Sequence, residues 1–277
     1  MVLLALLLRT EQCVETRCLN FGRYIGIDYS GAATAESSLK EIRVYTAGSS
    51  AEPEEVLPLS GPRKYWSRRA LAAWLHEQLT KDVPAIVGID HAFSFPLAYF
   101  KRHGVPLDWP YFLSEFRSNC PTDDPNIYVD SVREGMVGCW SKVSGDPTWL
   151  RLTEQWTASA KSVFLFDVQG AVAKATYAGL PWLWSLRRGL EGKVHVWPFD
   201  GWDFFRGRSV VVEVCPSLWM KRFPRQERNI DPHAAFSVAA WLGRADLDGI
   251  LSQFSHPALN PDERKLAEVE GWILGVV

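Results

Sequence analysis

The chain has 277 residues, 47% of them hydrophobic and 22% charged, enough for one large domain or two modest ones with a substantial core. Its 30 Lys and Arg against 32 Asp and Glu leave a formal charge of -2, so no global basic field exists and any nucleic-acid partner needs a local patch. Five cysteines (Cys13, Cys18, Cys120, Cys139 and Cys215), odd in number and without a Cys-x-x-Cys pair, suit reduced thiols in a cytoplasmic protein better than a disulfide frame or zinc site.

"MVLLALLLRTEQC" has a short apolar run but no basic leader or cleavage site, and it is too short to span a bilayer. Residues 1–22 are read as an extension the fold does not require, with a signal peptide as the alternative. A single domain is expected over 23–277, and no other segment reads as membrane-spanning. "RYIGIDYSGAAT" reads as a buried strand that breaks at Ser30-Gly31, "LKEIRVYTAG" as a half-exposed strand, and "EEVLPLSG" as a weaker third. "SRRALAAWLHEQLTK" places Ala70, Leu71, Trp74, Leu75 and Leu79 at helical spacing behind a Ser67 cap. The strand "AIVGID" follows, an alternation that indicates an α/β layer.

Residues from about 97 to 190 mix aromatic and polar types and read as a largely helical insertion walling a cleft, with "RLTEQWTASAKSVF" as one helix. "KVHVWPFDGW" returns to an extended pattern, and "SVVVEVCPSLW" is an apolar strand carrying Glu213. "DPHAAFSVAAWLGRAD" reads as a helix with Asp231 and Pro232 in cap and first-turn positions and an apolar face of Ala235, Val238, Ala239 and Leu242.

Asp28, Asp90 and Glu213 each lie at or near the end of an apolar strand, and α/β sheets gather such ends into one crevice. Carboxylates crowded there repel one another unless a cation or protons intervene. Mg²⁺ or Mn²⁺ prefers carboxylate oxygens, and two such ions about 4 Å apart promote phosphodiester cleavage. Each acid also has an ordinary explanation: a turn cap for Asp28, the exposed face of an edge strand for Glu213.

"YIGIDYSG", "IVGIDHAFSFP", "FDVQGAVAKATYAGLPWLWSLR", "VHVWPFDGW", "VVVEVCPSLW" and "EGWILGV" together resemble the domain of unknown function family 429, regarded as nucleases with a ribonuclease H-like fold. The likeness runs from about Tyr24 to the C-terminus. It implies a mixed sheet flanked by helices, with metal-binding, catalytic acids from the first strand (Asp28), the fourth strand (Asp90), a later strand (Glu213) and a C-terminal helix. At that last position the family commonly reads Asp-x-His-Asp-Ala, whereas this chain reads "DPHAA", with Ala234 where the second acid would stand. Asp231 is retained three residues earlier on the same helical face, and its Asp-Pro context equally makes it a natural N-cap.

For substrate contacts, Lys221, Arg222, Arg225 and Arg228 are close enough in sequence to line the crevice or to form a solvated connector. His233 is a spare nitrogen donor, a phosphate contact or an exposed first-turn histidine. Lys174, in "GAVAKAT", is in reach of a phosphate, although the segment lacks the glycine and Gly-Lys-Ser/Thr pattern of a phosphate loop. Trp197, Phe199 and Trp202 form a possible base-stacking platform or ordinary packing. The expected function is divalent-metal-dependent hydrolysis of DNA or RNA. The alternatives are a nucleic-acid or nucleotide-binding protein of the same fold without turnover, and an ATP-dependent phosphotransferase of the actin and sugar-kinase type.

Overall fold

The structure is a computed structural model describing residues 20–277 apart from residues 50, 59–63, 158, 159 and 206. Most of the expected N-terminal extension, including Cys13 and Cys18, lies outside the described residues. In chain order the strands are β1 (Arg23–Asp28), β2 (Arg43–Gly48), β3 (Glu54–Glu55), β4 (Ala85–Ile89), β5 (Val194–Val196) and β6 (Ser209–Glu213). The helices are α1 (Arg68–Leu79), α2 (Leu97–His103), α3 (Trp109–Asn119), α4 (Val129–Arg133), α5 (Trp140–Val143), α6 (Leu152–Gln155), α7 (Ala173–Gly189), α8 (Ile230–Leu247), α9 (Leu251–Phe254) and α10 (Pro261–Glu270).

The strands form one mixed sheet in the order β3-β2-β1-β4-β6-β5, flanked by helices, an α/β architecture. β2 is antiparallel to both β1 and β3, while β1, β4, β6 and β5 run parallel. Side chains alternate across the pleat and divide the core. Ile25, Ile27, Val87, Ile89 and Val211 pack on the α1 and α7 side, and Tyr24, Ile86, Val210 and Val212 pack beside α8 and the C-terminal segment. Both faces are covered, which explains why β1, β4 and β6 read as apolar runs rather than alternating ones.

The glycines of the two Gly-Ile-Asp phrases have a packing reason. Gly26 and Gly88 are register partners. A Cβ on Gly26 would overlap the Ala235 carbonyl and come within 2.7 Å of the Ala239 nitrogen, and one on Gly88 would lie 2.7 Å from Val238 Cγ1. Only hydrogen at those positions lets α8 settle on the strands.

Several local expectations change. β6 is not an edge strand, because β4 and β5 lie on either side of it, and Glu213 is buried. α8 starts at Ile230 with Asn229 at the N-cap, so Asp231 and Pro232 occupy the first turn and Asp231 is not the cap. A proline is tolerated there because first-turn N–H groups have no intrahelical partner. In "RLTEQWTASAKSVF" only Leu152–Gln155 is helical among the described residues, whereas α7 spans seventeen residues despite Pro181. Ser67 caps α1 through the Ala70 amide at 3.2 Å, as expected.

Candidate functional site

The parallel strands deliver their ends to one side of the sheet. Ile27 pairs with Ile89, and Ile89 with Glu213, so Asp28 and Asp90 emerge side by side and Glu213 stands next to them. Asp28, Asp90, Glu213 and Asp231 all line one cleft of about 360 Å³. The sequence-derived set of four acids is therefore gathered in one place, although the four are not equivalent.

Asp28 and Asp90 are close enough for their carboxyls to hydrogen-bond, which requires a proton between them. Burial pushes Asp28 well above the usual carboxylate range; the charges of Asp90 and Asp231 add to the rise, and Arg43, its register partner on β2, opposes it. Burial also raises Asp90, to about 7, with the Glu213 charge adding and the hydrogen bond from Asp28 opposing. Asp231, at the mouth, is raised by partial burial and Glu41, against Arg43 and Lys40.

Glu213 is held differently. Arg151 donates from Nη1 to its Oε2 at 2.8 Å and from Nη2 to its Oε1 at 2.6 Å, and the Phe93 amide donates to Oε2 at 3.0 Å. The same guanidinium reaches Glu154 through Nε at 2.8 Å. Glu270, next to this cluster, accepts from the amides of Leu97 and Leu152. Glu213 thus works as the counter-charge of a buried arginine rather than as a free ligand, which departs from its expected role as third metal ligand. Arg151 was not singled out in the sequence. The signal that marked it is slight: an arginine just before a short helix with Glu154 three residues later, the spacing of a capping box.

His91, the residue after Asp90, is buried in the cleft wall; its Nδ1 faces the Ala92 carbonyl at 2.9 Å, and burial lowers its pKa to about 4, so it is a neutral imidazole. Ala234 also lines the cleft, one helical turn beyond Ile230. Lys161 is the lysine of the cleft wall, donating to the Gln169 carbonyl.

The expected substrate contacts lie elsewhere. Lys174 is ion-paired with Asp130 at 2.7 Å and is not among the cleft-lining residues. Lys221 and Arg222 are exposed on a short turn of which Met220 alone reaches the cleft. Arg225 donates to the Arg228 carbonyl, and Arg228 stacks over Phe236 at 3.6 Å. His233 is buried rather than exposed, and its Nε2 lies 3.0 Å from the Met220 carbonyl, tying that turn to α8. Trp197 is fully buried, edge-on to Trp202, while Phe199 stacks on Trp109 at 3.8 Å, so Trp197 presents no face for a base. Here the packing reading of "WPFDGW" holds.

Among the described residues, no three His, Cys, Asp or Glu side chains converge closely enough to cage a metal ion. Mg²⁺, however, is commonly bound through one or two carboxylates, with water and substrate phosphates completing its shell. Asp28 and Asp90 fit that donor set: adjacent, oxygen-bearing, and raised in proton affinity first by burial and then by neighbouring carboxylate charge, which a cation would offset. Comparison with known families, curated proteins and solved structures gave no match. No described helix is long and apolar enough to cross a membrane.

Proposed function

We propose that the protein is a divalent-metal-dependent hydrolase of phosphodiester bonds, a ribonuclease H-like nuclease of the kind its resemblance to the domain of unknown function family 429 implies. The observation that carries this reading is the Asp28–Asp90 pair, set by neighbouring parallel strands at the floor of a cleft. The placement of Asp28 on β1, Asp90 after β4 and Asp231 on α8 supports the resemblance.

Asp28 and Asp90 would hold Mg²⁺ or Mn²⁺, with Asp231 lining the same cleft. The ion supplies an activated water and charge for the leaving oxygen. Asp90 is raised to about 7 and Asp28 well above the usual carboxylate range, so the pair holds a proton at neutral pH in the metal-free protein. Arg151 keeps Glu213 at the cleft wall, which limits the charge the metal-binding pair must bear. The substrate is nucleic acid in this reading, DNA or RNA.

The test is Mn²⁺-dependent cleavage of single-stranded and duplex DNA and RNA by the wild type, Asp28→Asn and Asp90→Asn, each checked for folding. Activity lost in both variants supports the reading, and an active double variant rejects it. A second reading, binding without turnover, is favoured by one observation: Ala234 faces the cleft where the family implies an acid. Nucleic-acid binding by the wild type with no cleavage in Mn²⁺ would select it.

A further inference from the structure

Among the described residues, the Lys and Arg side chains that line the acid cleft are Arg151 and Lys161, and they are not alike. Arg151 is buried and spends its guanidinium on Glu154, Glu213 and the Glu270 carbonyl. Lys161 is half-buried, forms no salt bridge among the described residues, and donates to the neutral carbonyl of Gln169. Its Nζ lies 3.7 Å from the place a Cβ on Gly170 would take, and Gly170 lines the cleft as well. The ammonium itself, and not only its stem, is therefore at the cleft wall. Cations tied to the same loop are committed: Lys174 to Asp130, and Arg133 to Asp130 and Asp167.

A phosphodiester brings negative charge into a space that also holds Asp28, Asp90, Glu154, Glu213 and Asp231. Arg151 offsets part of that charge, and the Asp28–Asp90 pair holds a proton, but Asp231 still meets an entering anion as a like charge. An anionic ligand needs an uncommitted positive group at this wall, and Lys161 is one. An ammonium has three donors, so Nζ can keep Gln169 and still give hydrogen bonds to phosphate oxygens. The cleft volume of about 360 Å³ is that of a small-molecule site, room for one nucleotide of a strand and not for a length of duplex.

We propose that Lys161 is the phosphate-binding residue of the cleft, holding a non-bridging oxygen of a nucleic-acid single strand near the Asp28–Asp90 pair. The inference rests on the nucleic-acid substrate of the proposed function.

The test is fluorescence anisotropy with end-labelled single-stranded DNA and RNA oligonucleotides over a salt series, in Ca²⁺ rather than Mn²⁺ so that binding is read apart from cleavage. Lys161→Ala is expected to raise Kd about tenfold. Its plot of log affinity against log salt is expected to be shallower by about 0.7, the share of one single-strand phosphate contact. Lys161→Arg, which keeps the charge, is expected to restore most of both. Mn²⁺ affinity, measured by calorimetry, is expected to stay at the wild-type value in the two variants. Wild-type Kd and salt slope in Lys161→Ala overturn the inference, as does loss of Mn²⁺ affinity in that variant or absence of nucleic-acid binding by the wild type. The hydrolase reading is judged separately, by Mn²⁺-dependent cleavage and its loss in Asp28→Asn. A protein that cleaves, and whose Lys161→Ala variant binds as the wild type does, loses the inference and keeps that reading.

Discussion

Arg151 and Glu213 form a two-pronged ion pair, at 2.8 and 2.6 Å, with side chains only 1% and 4% exposed. The pair lies in the wall of the acid cleft, so the carboxylate that sequence pattern groups with Asp28 and Asp90 has a partner of its own. Breaking a buried pair strands the remaining charge, a penalty of about 3–5 kcal/mol. Glu213→Gln is expected to lower unfolding free energy by about that amount, read by urea denaturation, while keeping the Mn²⁺ affinity that Asp28→Asn loses. Loss of Mn²⁺ binding by a folded Glu213→Gln protein would make Glu213 a ligand after all.

Asp90 sets the pH dependence. Its folded pKa of about 7 lies above the ordinary value of 3.8, so between those limits the folded state binds more protons than the unfolded one. Stability therefore falls as pH rises through this window, and the raised Asp28 carboxyl adds to the fall. Asp90→Asn is expected to flatten that slope in the metal-free protein, measured as Tm against pH.

Metal binding has the opposite sign. The proton shared by Asp28 and Asp90 must leave before a cation enters, so Mn²⁺ affinity is expected to rise through pH 7 with proton release. Calorimetry in buffers of different ionisation enthalpy would count the protons, and pH-independent affinity would contradict the site.

Ala234 tests the depth of the impairment. Ala234→Asp adds a carboxylate to the cleft wall and is expected to strengthen Mn²⁺ binding about tenfold, equivalent to about 1.4 kcal/mol, while lowering the stability of the metal-free protein. Isothermal titration and thermal melts report the two effects separately.

Trp197 separates packing from recognition. Trp197→Ala is expected to destabilise the fold by about 3–5 kcal/mol. Nucleic-acid affinity of the folded fraction is expected to stay unchanged, because no face of the indole reaches solvent. A fluorescence-anisotropy titration alongside denaturation distinguishes the outcomes.

The strands and their terminal acids were legible because apolar runs ending in acids at Asp28, Asp90 and Glu213 are local patterns. α1 was legible for the same reason, from its helical period and Ser67 cap. Arg151 and Arg68 were not, because nothing local distinguishes a buried arginine from a solvated one; what buries them is carboxylate and carbonyl oxygens far away in sequence. His233 was read as an exposed residue or a substrate contact and Trp197 as either a stacking platform or packing; tertiary packing encloses both. α7 was obscured by Pro181, a residue that in sequence ordinarily ends a helix.

The hydrogen-only positions at Gly26 and Gly88 make α8 a fixed ruler laid on the sheet. Its height is set where its backbone meets β1 at Gly26 and where Val238 meets β4 at Gly88, so repacking larger core residues elsewhere leaves the spacing from residues 231 and 234 to Asp28 and Asp90 nearly unchanged. The acid cleft can be redesigned by exchanging side chains along that ruler without moving its marks.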